Sequence, residues 1–218
     1  MKLTNLELVF VGVALTAIMM LGTTNIRTNL SLYRWHTMLI AVSSGWIGYL
    51  RAEPVFHWLG IALMIAGAKA WFAPWFLSQI MRKVEVQNDS AVFIPTALAM
   101  HIGIALLALS YPLAQTLPSV LNQPGGSIGA TVALSLISTG MLLMVTRHIA
   151  VSQVMGFLVI ENGIYLISLT QTRGMPLNIE MGVLLDLLVA VMVTGLLLFR
   201  IKKNFEHIDV AKLNELRD

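Results

Sequence analysis

The chain has 218 residues, of which 57% are hydrophobic and only 11% are charged, with a formal net charge of +3. Soluble domains usually carry about 25% charged residues, so this composition excludes a soluble globular domain and predicts an all-α polytopic membrane protein. The absence of cysteine excludes disulfides, thiolate metal sites and cysteine-bound iron–sulfur clusters.

The sequence also lacks the common nucleotide-binding motifs. It contains neither G-x-G-x-x-G after a strand nor G-x-x-x-x-G-K-[ST], so we predict no cofactor, no metal and no catalytic residue in this chain. An isoelectric point of about 9.4 is compatible with binding to nucleic acid, but most basic residues lie in loops between apolar runs. That placement is a topology signal, and we predict membrane lipid and other proteins as partners, with no nucleic acid.

Seven apolar runs follow one another along the chain, and each is close to the length of about 20 residues that a membrane-spanning helix needs. The first is interpreted as a helix because no small-residue cleavage motif follows it. The predicted spans are Leu6–Gly22, Leu32–Leu50, His57–Gln79, Ala91–Leu109, Ser127–Thr146, Ile149–Thr170 and Ile179–Phe199.

The distribution of Lys and Arg predicts the orientation of these spans, because short cytoplasmic loops are enriched in both. One side holds ten of them and the other holds three, with Lys69 inside a helix. We therefore predict a multi-pass inner-membrane protein with a periplasmic N-terminus and a cytoplasmic C-terminus. The ten are Arg27, Arg34, Arg82, Lys83, Arg147, Arg200, Lys202, Lys203, Lys212 and Arg217; the three are Lys2, Arg51 and Arg173.

An uncharged, proline-rich and glycine-rich loop divides the chain. We predict a four-helix membrane part at residues 1–113, an external loop at 114–126, a three-helix membrane module at 127–204 and a cytoplasmic tail at 205–218.

Four ionisable residues fall near the centres of predicted helices: Lys69, His101, Glu161 and Asp186. A charged side chain at the bilayer centre costs roughly 2.5–3.5 kcal/mol on insertion scales, so such residues usually face protein or water and often move protons or ions. A row of Lys, His and carboxylate at one depth suits proton transfer, because each group can change its charge. We predict a proton path through these four residues.

Structural alternatives exist for each of them. Glu161 and Lys69 could form a buried ion pair that only holds helices together. His101 could be a hydrogen-bonded packing residue, and Asp186 could make an interhelical hydrogen bond. Stripes of Ser and Thr, such as Thr131, Ser135 and Ser138, either join helices, bond their own backbone or line water.

The C-terminal part resembles a known family at motif level. Glu161-Asn162 in an apolar helix precedes a polar turn, a helix ending in Gly195-Leu-Leu-Leu-Phe-Arg200, and an Asp209-Val-x-x-x-Asn-Glu-Leu-Arg217 tail. This pattern is similar to the K subunit of respiratory complex I and its antiporter counterpart. With four helices in front, the chain resembles hydrogenase-4 component E of formate hydrogenlyase-type complexes.

The resemblance implies that residues 127–204 form a K-subunit-like module with two intramembrane acids. The family's first glutamate aligns with Leu158, one helical turn from Glu161, and its second aligns with Val191, five residues after Asp186. Lys69 and His101 have no counterpart in the three-helix family. The implied function is that of a non-redox subunit of a nickel–iron hydrogenase complex, which links its catalytic arm to antiporter-like subunits and contributes to a proton path. The alternatives are a subunit of a multisubunit cation/proton antiporter and a purely structural scaffold.

Overall fold

The computed structural model describes residues 5–52, 54–84, 93–117 and 125–171, and all regular structure in these ranges is helical. The predicted all-α class is therefore confirmed for this part of the chain. The helices are α1 (Asn5–Leu21), α2 (Ile26–Leu50), α3 (Val55–Met64), α4 (Ala73–Val84), α5 (Thr96–Gln115), α6 (Gly126–Thr146) and α7 (Ala150–Gln171). A π-helical segment, Ile65–Phe72, joins α3 and α4 into one continuous rod.

Six helical rods thus cover the described residues, and each falls on one of the first six predicted spans. Four of them are long and apolar enough to cross a membrane, which indicates a membrane protein: Val55–Gln79, Thr96–Gln115, Gly126–Thr146 and Ala150–Gln171. Helix α1 is apolar but has only 17 residues. The seventh predicted span, Ile179–Phe199, lies outside the described residues.

Four of the predicted helix boundaries differ from the structure by more than one turn: the starts of α2 and α5 and the ends of α4 and α5. Helix α2 begins six residues before the predicted Leu32, because the Asn25 side chain caps it by accepting a hydrogen bond from the Thr28 N–H at 3.1 Å. Helix α5 begins at Thr96 rather than Ala91 and continues to Gln115. Apolar runs locate the middle of a helix, whereas capping groups and prolines decide where it begins.

Four helices surround the main core. Helix α1 packs on α2 and α6, and α7 closes the ring by packing on α6 and α2. Their inward side chains, which include Phe10, Ile40, Leu136 and Met155, are fully buried. Helix α5 lies against α1 and α6, and the rod containing α3 and α4 lies against α2. Both outer rods leave many apolar side chains exposed, as expected for helices that face lipid.

Contacts between helix ends show that α6 runs antiparallel to both α5 and α7. At one end, the Phe93 N–H donates to the Thr146 carbonyl, beside the turn between α6 and α7. At the other end, Arg51 donates to the Leu169 carbonyl and Gln171 donates to the Gly126 carbonyl. Helices α2 and α7 consequently run parallel to each other.

Arg147, which the sequence analysis counts among the loop cations, is one of the largest fully buried side chains of the described residues. Its Nη2 lies 3.0 Å from the Leu21 carbonyl and 2.9 Å from the Thr23 carbonyl, at the C-terminus of α1. The Leu21 carbonyl is one of the last of α1, and such carbonyls have no partner within their own helix and carry the negative end of its dipole. Arg147 therefore ties the turn between α6 and α7 to the end of α1.

The closest helix pair is α6 with α7, where glycines allow the two backbones to touch. An added Cβ would lie 2.8 Å from the Gly140 carbonyl oxygen if placed on Gly156, and 2.8 Å from the Ala133 carbonyl oxygen if placed on Gly163. Gly156 and Gly163 are seven residues apart, so they share one face of α7. Small residues at such interfaces are a general means of packing helices in membranes.

We expect Gly156→Ala to destabilise the protein, because its new methyl group must displace backbone atoms of α6. Overpacking of this kind typically costs about 1–3 kcal/mol. The matched control is Gly60→Ala on α3, where an added Cβ meets nothing within 4 Å and the higher helix propensity of Ala is favourable. The measurement is heat-induced loss of folded protein from detergent-extracted membranes. Equal midpoints for the two variants would contradict this packing.

Candidate functional site

A buried ion pair joins the rod of α3 and α4 to α7. Lys69 Nζ lies 3.6 Å from Glu161 Oε2, and each residue is only 6% exposed. Glu161 lies at the middle of α7, as the sequence predicts. In the described part of the chain, neither carboxylate oxygen of Glu161 has a hydrogen-bond partner. The acid therefore depends on the Lys69 charge for its stabilisation.

Lys69 occupies the π-helical segment. There the Ala73 N–H donates to the carbonyl of Ala68, five residues earlier. The sequence supplies a reason in Pro74, which lacks an N–H and whose ring would clash with the carbonyl of Ala70 in a regular α-helix. Wider π turns are rare and occur often at functional sites. Here they surround the cation that reaches α7.

Polar contacts also connect α2 with α7. Asn162 Nδ2 donates to Thr37 Oγ1 at 3.1 Å, and the hydroxyls of Ser44 and Tyr165 are 2.6 Å apart. Arg51 Nη2 donates to the Leu169 carbonyl at 2.8 Å. Thr37, Ser44 and Arg51 lie seven residues apart on α2, so a single stripe of this helix carries all three contacts.

His36, the neighbour of Thr37, connects α2 with α1. Its side chain is completely buried, and its Nδ1 lies 3.2 Å from the Val13 carbonyl and 3.1 Å from Thr16 Oγ1. Because a carbonyl only accepts hydrogen bonds, Nδ1 carries the proton in this arrangement. Nε2 of His36 is buried and has no hydrogen-bond partner among the described residues.

These contacts place six polar residues at one level of the bundle. Neighbouring residues of a helix differ in height by only about 1.5 Å, so the Thr37–Asn162 hydrogen bond also aligns His36 with Glu161. The ion pair adds Lys69, and the contact with His36 adds Thr16. We name this group, which crosses α1, α2, α7 and the π-helical segment, the polar layer: Thr16, His36, Thr37, Asn162, Glu161 and Lys69.

The structure does not bring His101 to this layer. Its side chain is exposed, and its Nδ1 lies 2.6 Å from the Ala97 carbonyl of its own helix. Because α5 runs from Thr96 to Gln115, His101 lies in its second turn and not at its centre. Asp186, the fourth residue of the predicted path, lies outside the described residues.

The serine and threonine stripe of α6 has mainly local roles. Thr131 donates to the Ser127 carbonyl and Ser138 donates to the Leu134 carbonyl, each within its own helix. Ser135 is buried between helices. Two members of this stripe, Thr131 and Ser138, thus form hydrogen bonds to the backbone of their own helix, which is one of the predicted alternatives.

The polar layer has the composition of a proton-transfer site. It contains a carboxylate, an amine and an imidazole, together with hydroxyl and amide groups between them. Three of its acceptor groups are buried without a donor in the described ranges: the Glu161 carboxylate, Asn162 Oδ1 and His36 Nε2. The same ranges hold no group of three or more His, Cys, Asp or Glu residues that could bind a metal ion.

Sequence reasoning missed His36 and Thr37 because it placed the start of α2 at Leu32. That start put His36 in the second turn of the helix, close to the membrane surface. With the start at Ile26, His36 is the eleventh of 25 residues and lies near the middle. Two features of the sequence indicate the earlier start of α2. One is the capping residue Asn25, and the other is the seven-residue spacing of Thr37, Ser44 and Arg51.

Comparisons with known proteins give one informative relative. No family model matches the chain, and no solved structure is significantly similar to it. An uncharacterized protein of Mycobacterium tuberculosis, Rv0085, is 30% identical over 209 residues, which cover 95% of this chain and 93% of the relative. Identity at this level over nearly the whole length of both proteins shows common descent, and the chain belongs to the same family as Rv0085.

Proposed function

We propose that this chain is a non-redox membrane subunit of a complex I-related, membrane-bound hydrogenase and contributes a proton-transfer step centred on Glu161. The observation that carries the proposal is the buried pair of Glu161 with Lys69 at the middle of α7. A charged pair that only joined two helices would be replaceable by apolar packing at little cost. Proton transfer, in contrast, requires groups that change their charge inside the membrane.

The polar layer supports a transfer role through its composition and its unused acceptors. Uptake of a proton by Glu161 would neutralise the acid and remove the negative charge beside Lys69. Release of that proton would restore the pair. Each state of Glu161 thus has a different electrostatic cost, which is the property that couples proton movement to a conformational change in neighbouring subunits.

The assignment to a hydrogenase rests on the motif resemblance of residues 125–218 to the complex I K subunit and of the whole chain to hydrogenase-4 component E. In this proposal the chain spans the membrane seven times, with Ile179–Phe199 as the last span, and residues 127–204 form the K-subunit-like module. Asp186 remains a proposed second acid of the path. Electron transfer then belongs to other subunits, because this chain has no cysteine and no nucleotide motif.

We expect the chain to purify within a larger complex. A C-terminal affinity tag on the full chain, in its native host and a mild detergent, should retain a nickel–iron hydrogenase and antiporter-like subunits, identified by mass spectrometry. Recovery of antiporter subunits without any redox subunit would replace the proposal with a multisubunit cation/proton antiporter. A stable, monodisperse monomer would contradict both assignments.

The proposed topology places the C-terminus in the cytoplasm and residues 114–126 outside. A reporter fused after Asp218 should therefore be active only in the cytoplasm, and one inserted at Gln123 only in the periplasm. Reporter signals from the same side of the membrane would disprove the seven-span arrangement.

Glu161→Gln separates proton transfer from a purely structural ion pair. Gln keeps the size and hydrogen bonding of Glu but cannot titrate. We expect normal yield of the complex in membrane vesicles, and proton movement per hydrogen turned over that falls about tenfold or more, since a proton-transfer group typically contributes 10²–10⁴-fold. A pH-sensitive dye and a hydrogenase assay measure the two rates.

The matched control is Glu7→Gln, the same change in the first turn of α1, for which both quantities should stay normal. If the pair is only structural, Glu161→Gln instead lowers the yield, since removing one member of a buried ion pair costs about 3–5 kcal/mol. Lys69→Met in the same chain should then restore the yield. Normal yield and normal proton movement in Glu161→Gln would exclude both roles.

A further inference from the structure

We propose that protons reach and leave Glu161 from one side of the membrane, along a polar route formed by Tyr165 and Ser168 of α7 and Ser44 of α2. The route opens at the end of the bundle that carries Arg51, where α2 ends. This inference rests on the proposed proton-transfer function and deepens it. It assigns the residues that connect the buried acid with bulk water, and it assigns the side on which they open.

The first argument is the spacing of polar residues on α7. Tyr165 and Ser168 follow Glu161 by four and seven residues in one continuous α-helix. Residues at these spacings lie on the same face, and neighbours three or four apart have Cβ atoms about 5–6 Å from each other. Tyr165 and Ser168 are half-buried, whereas Glu161 is only 6% exposed. The polar face is therefore more accessible toward the C-terminus of α7 than at the acid itself.

The second argument is the contact that α2 adds to this face. Ser44 Oγ and Tyr165 Oη are 2.6 Å apart, and Ser44 is buried. A hydroxyl group both donates and accepts hydrogen bonds, so it can receive one proton while it passes on another. Farther along the same two helices, Arg51 donates to the Leu169 carbonyl. The paired hydroxyls thus lie between Glu161 and the end of the bundle.

The third argument is that the same face of α7 is apolar in the other direction. The residues that precede Glu161 by seven, four and three positions are Val154, Phe157 and Leu158. Val154 and Leu158 are also buried. Since hydrocarbon side chains neither donate nor accept hydrogen bonds, these three positions offer no step for a proton.

Helix α2 has the same asymmetry about Thr37. Leu30 and Tyr33, which precede Thr37 by seven and four residues, are both buried, and Tyr33 is 0% exposed. In the other direction, Ser44 is followed by the half-buried Arg51. Both helices that contribute to the route therefore become accessible at the same end of the bundle.

The dimensions agree with access from one side. Glu161 lies ten residues before Gln171, the last residue of α7, which corresponds to about 15 Å along the helix. That length is half of a hydrocarbon core of about 30 Å. Gln171 also donates to the Gly126 carbonyl at the start of α6. The route consequently opens on the side occupied by residues 114–126, which is the periplasm in the proposed topology.

Cysteine labelling tests the route directly, because the chain has no cysteine of its own. We compare Ser168→Cys with its matched control Val154→Cys, which lies equally far from Glu161 in the other direction. Ile164→Cys is the control for a surface that faces lipid, since Ile164 is 54% exposed. Vesicles of each orientation that contain the native complex are treated with trimethylammonium-ethyl methanethiosulfonate, a cation that does not cross membranes. The tagged chain is then isolated, and its labelled fraction is measured by mass spectrometry.

We expect Ser168→Cys to react from the side of residues 114–126 about tenfold or more faster than either control reacts from any side, because apolar surroundings suppress the reactive thiolate. The attached cation should also lower proton movement per hydrogen turned over in Ser168→Cys, whereas treatment should leave it unchanged in Val154→Cys. Reaction of Val154→Cys as fast as that of Ser168→Cys would overturn the inference. So would equal reaction of Ser168→Cys and Ile164→Cys.

Tyr165→Phe tests the hydroxyl that pairs with Ser44, and it decides the question if Ser168→Cys fails to assemble. We expect normal yield, proton movement about tenfold or more slower, and a larger ratio of the rates in H₂O and D₂O, because proton transfer becomes rate-limiting. A residue with only a packing role would not change that ratio. The matched control is Tyr111→Phe on the exposed surface of α5, which should behave as the wild type. An unchanged rate and ratio in Tyr165→Phe would contradict the route.

Failure of the route and failure of the proposed function give different results. Normal proton movement in Glu161→Gln refutes the function, and the route with it, whatever the labelling shows. Impaired proton movement in Glu161→Gln beside a Val154→Cys that reacts as fast as Ser168→Cys leaves the function in place and refutes the route alone.

Discussion

The structure depends on one constraint, namely that a charge inside an apolar bundle must have a partner. Glu161 lies at the middle of α7, and Lys69 provides its opposite charge from a different rod. Breaking a buried ion pair by removing one partner generally costs about 3–5 kcal/mol. The pair therefore joins the rod of α3 and α4 to the ring of four helices, and its Lys69 lies in the π-helical segment.

The remaining polar contacts follow from the same constraint. Polar side chains of α2 form hydrogen bonds to α7. Thr37, Ser44 and Arg51, which lie on one stripe of α2, each contact α7. Between α6 and α7 the interface is of another kind, since glycines bring the backbones into contact. Helix α7 thus has a tightly packed side toward α6 and a polar side toward α2 and Lys69. This division allows titratable groups to lie in a rigid frame.

The polar layer and the ends of the bundle have different requirements. At the end of α1, Arg147 makes several hydrogen bonds to backbone carbonyls and serves as a fixed anchor. In the polar layer, by contrast, His36 Nε2, Asn162 Oδ1 and the Glu161 carboxylate retain acceptors without donors in the described residues. Arg147 therefore holds the end of α1 to the turn between α6 and α7, and the proposed proton transfer concerns the polar layer alone.

The sequence by itself determined the helical class, six of the rods, and the central positions of Lys69 and Glu161, because apolar runs and the charges within them are local properties. Only the tertiary structure decided which charges meet. The pairing of Lys69 with Glu161 is a contact between two separate rods, which a hydrophobic period does not reveal. The central position of His36 in its helix depends on the Asn25 cap, which moves the start of α2, and the position of His101 near a helix end depends on the later start of α5 at Thr96. Arg147 had the composition of a loop cation, and only the packing of α1 against the turn between α6 and α7 made it a buried anchor.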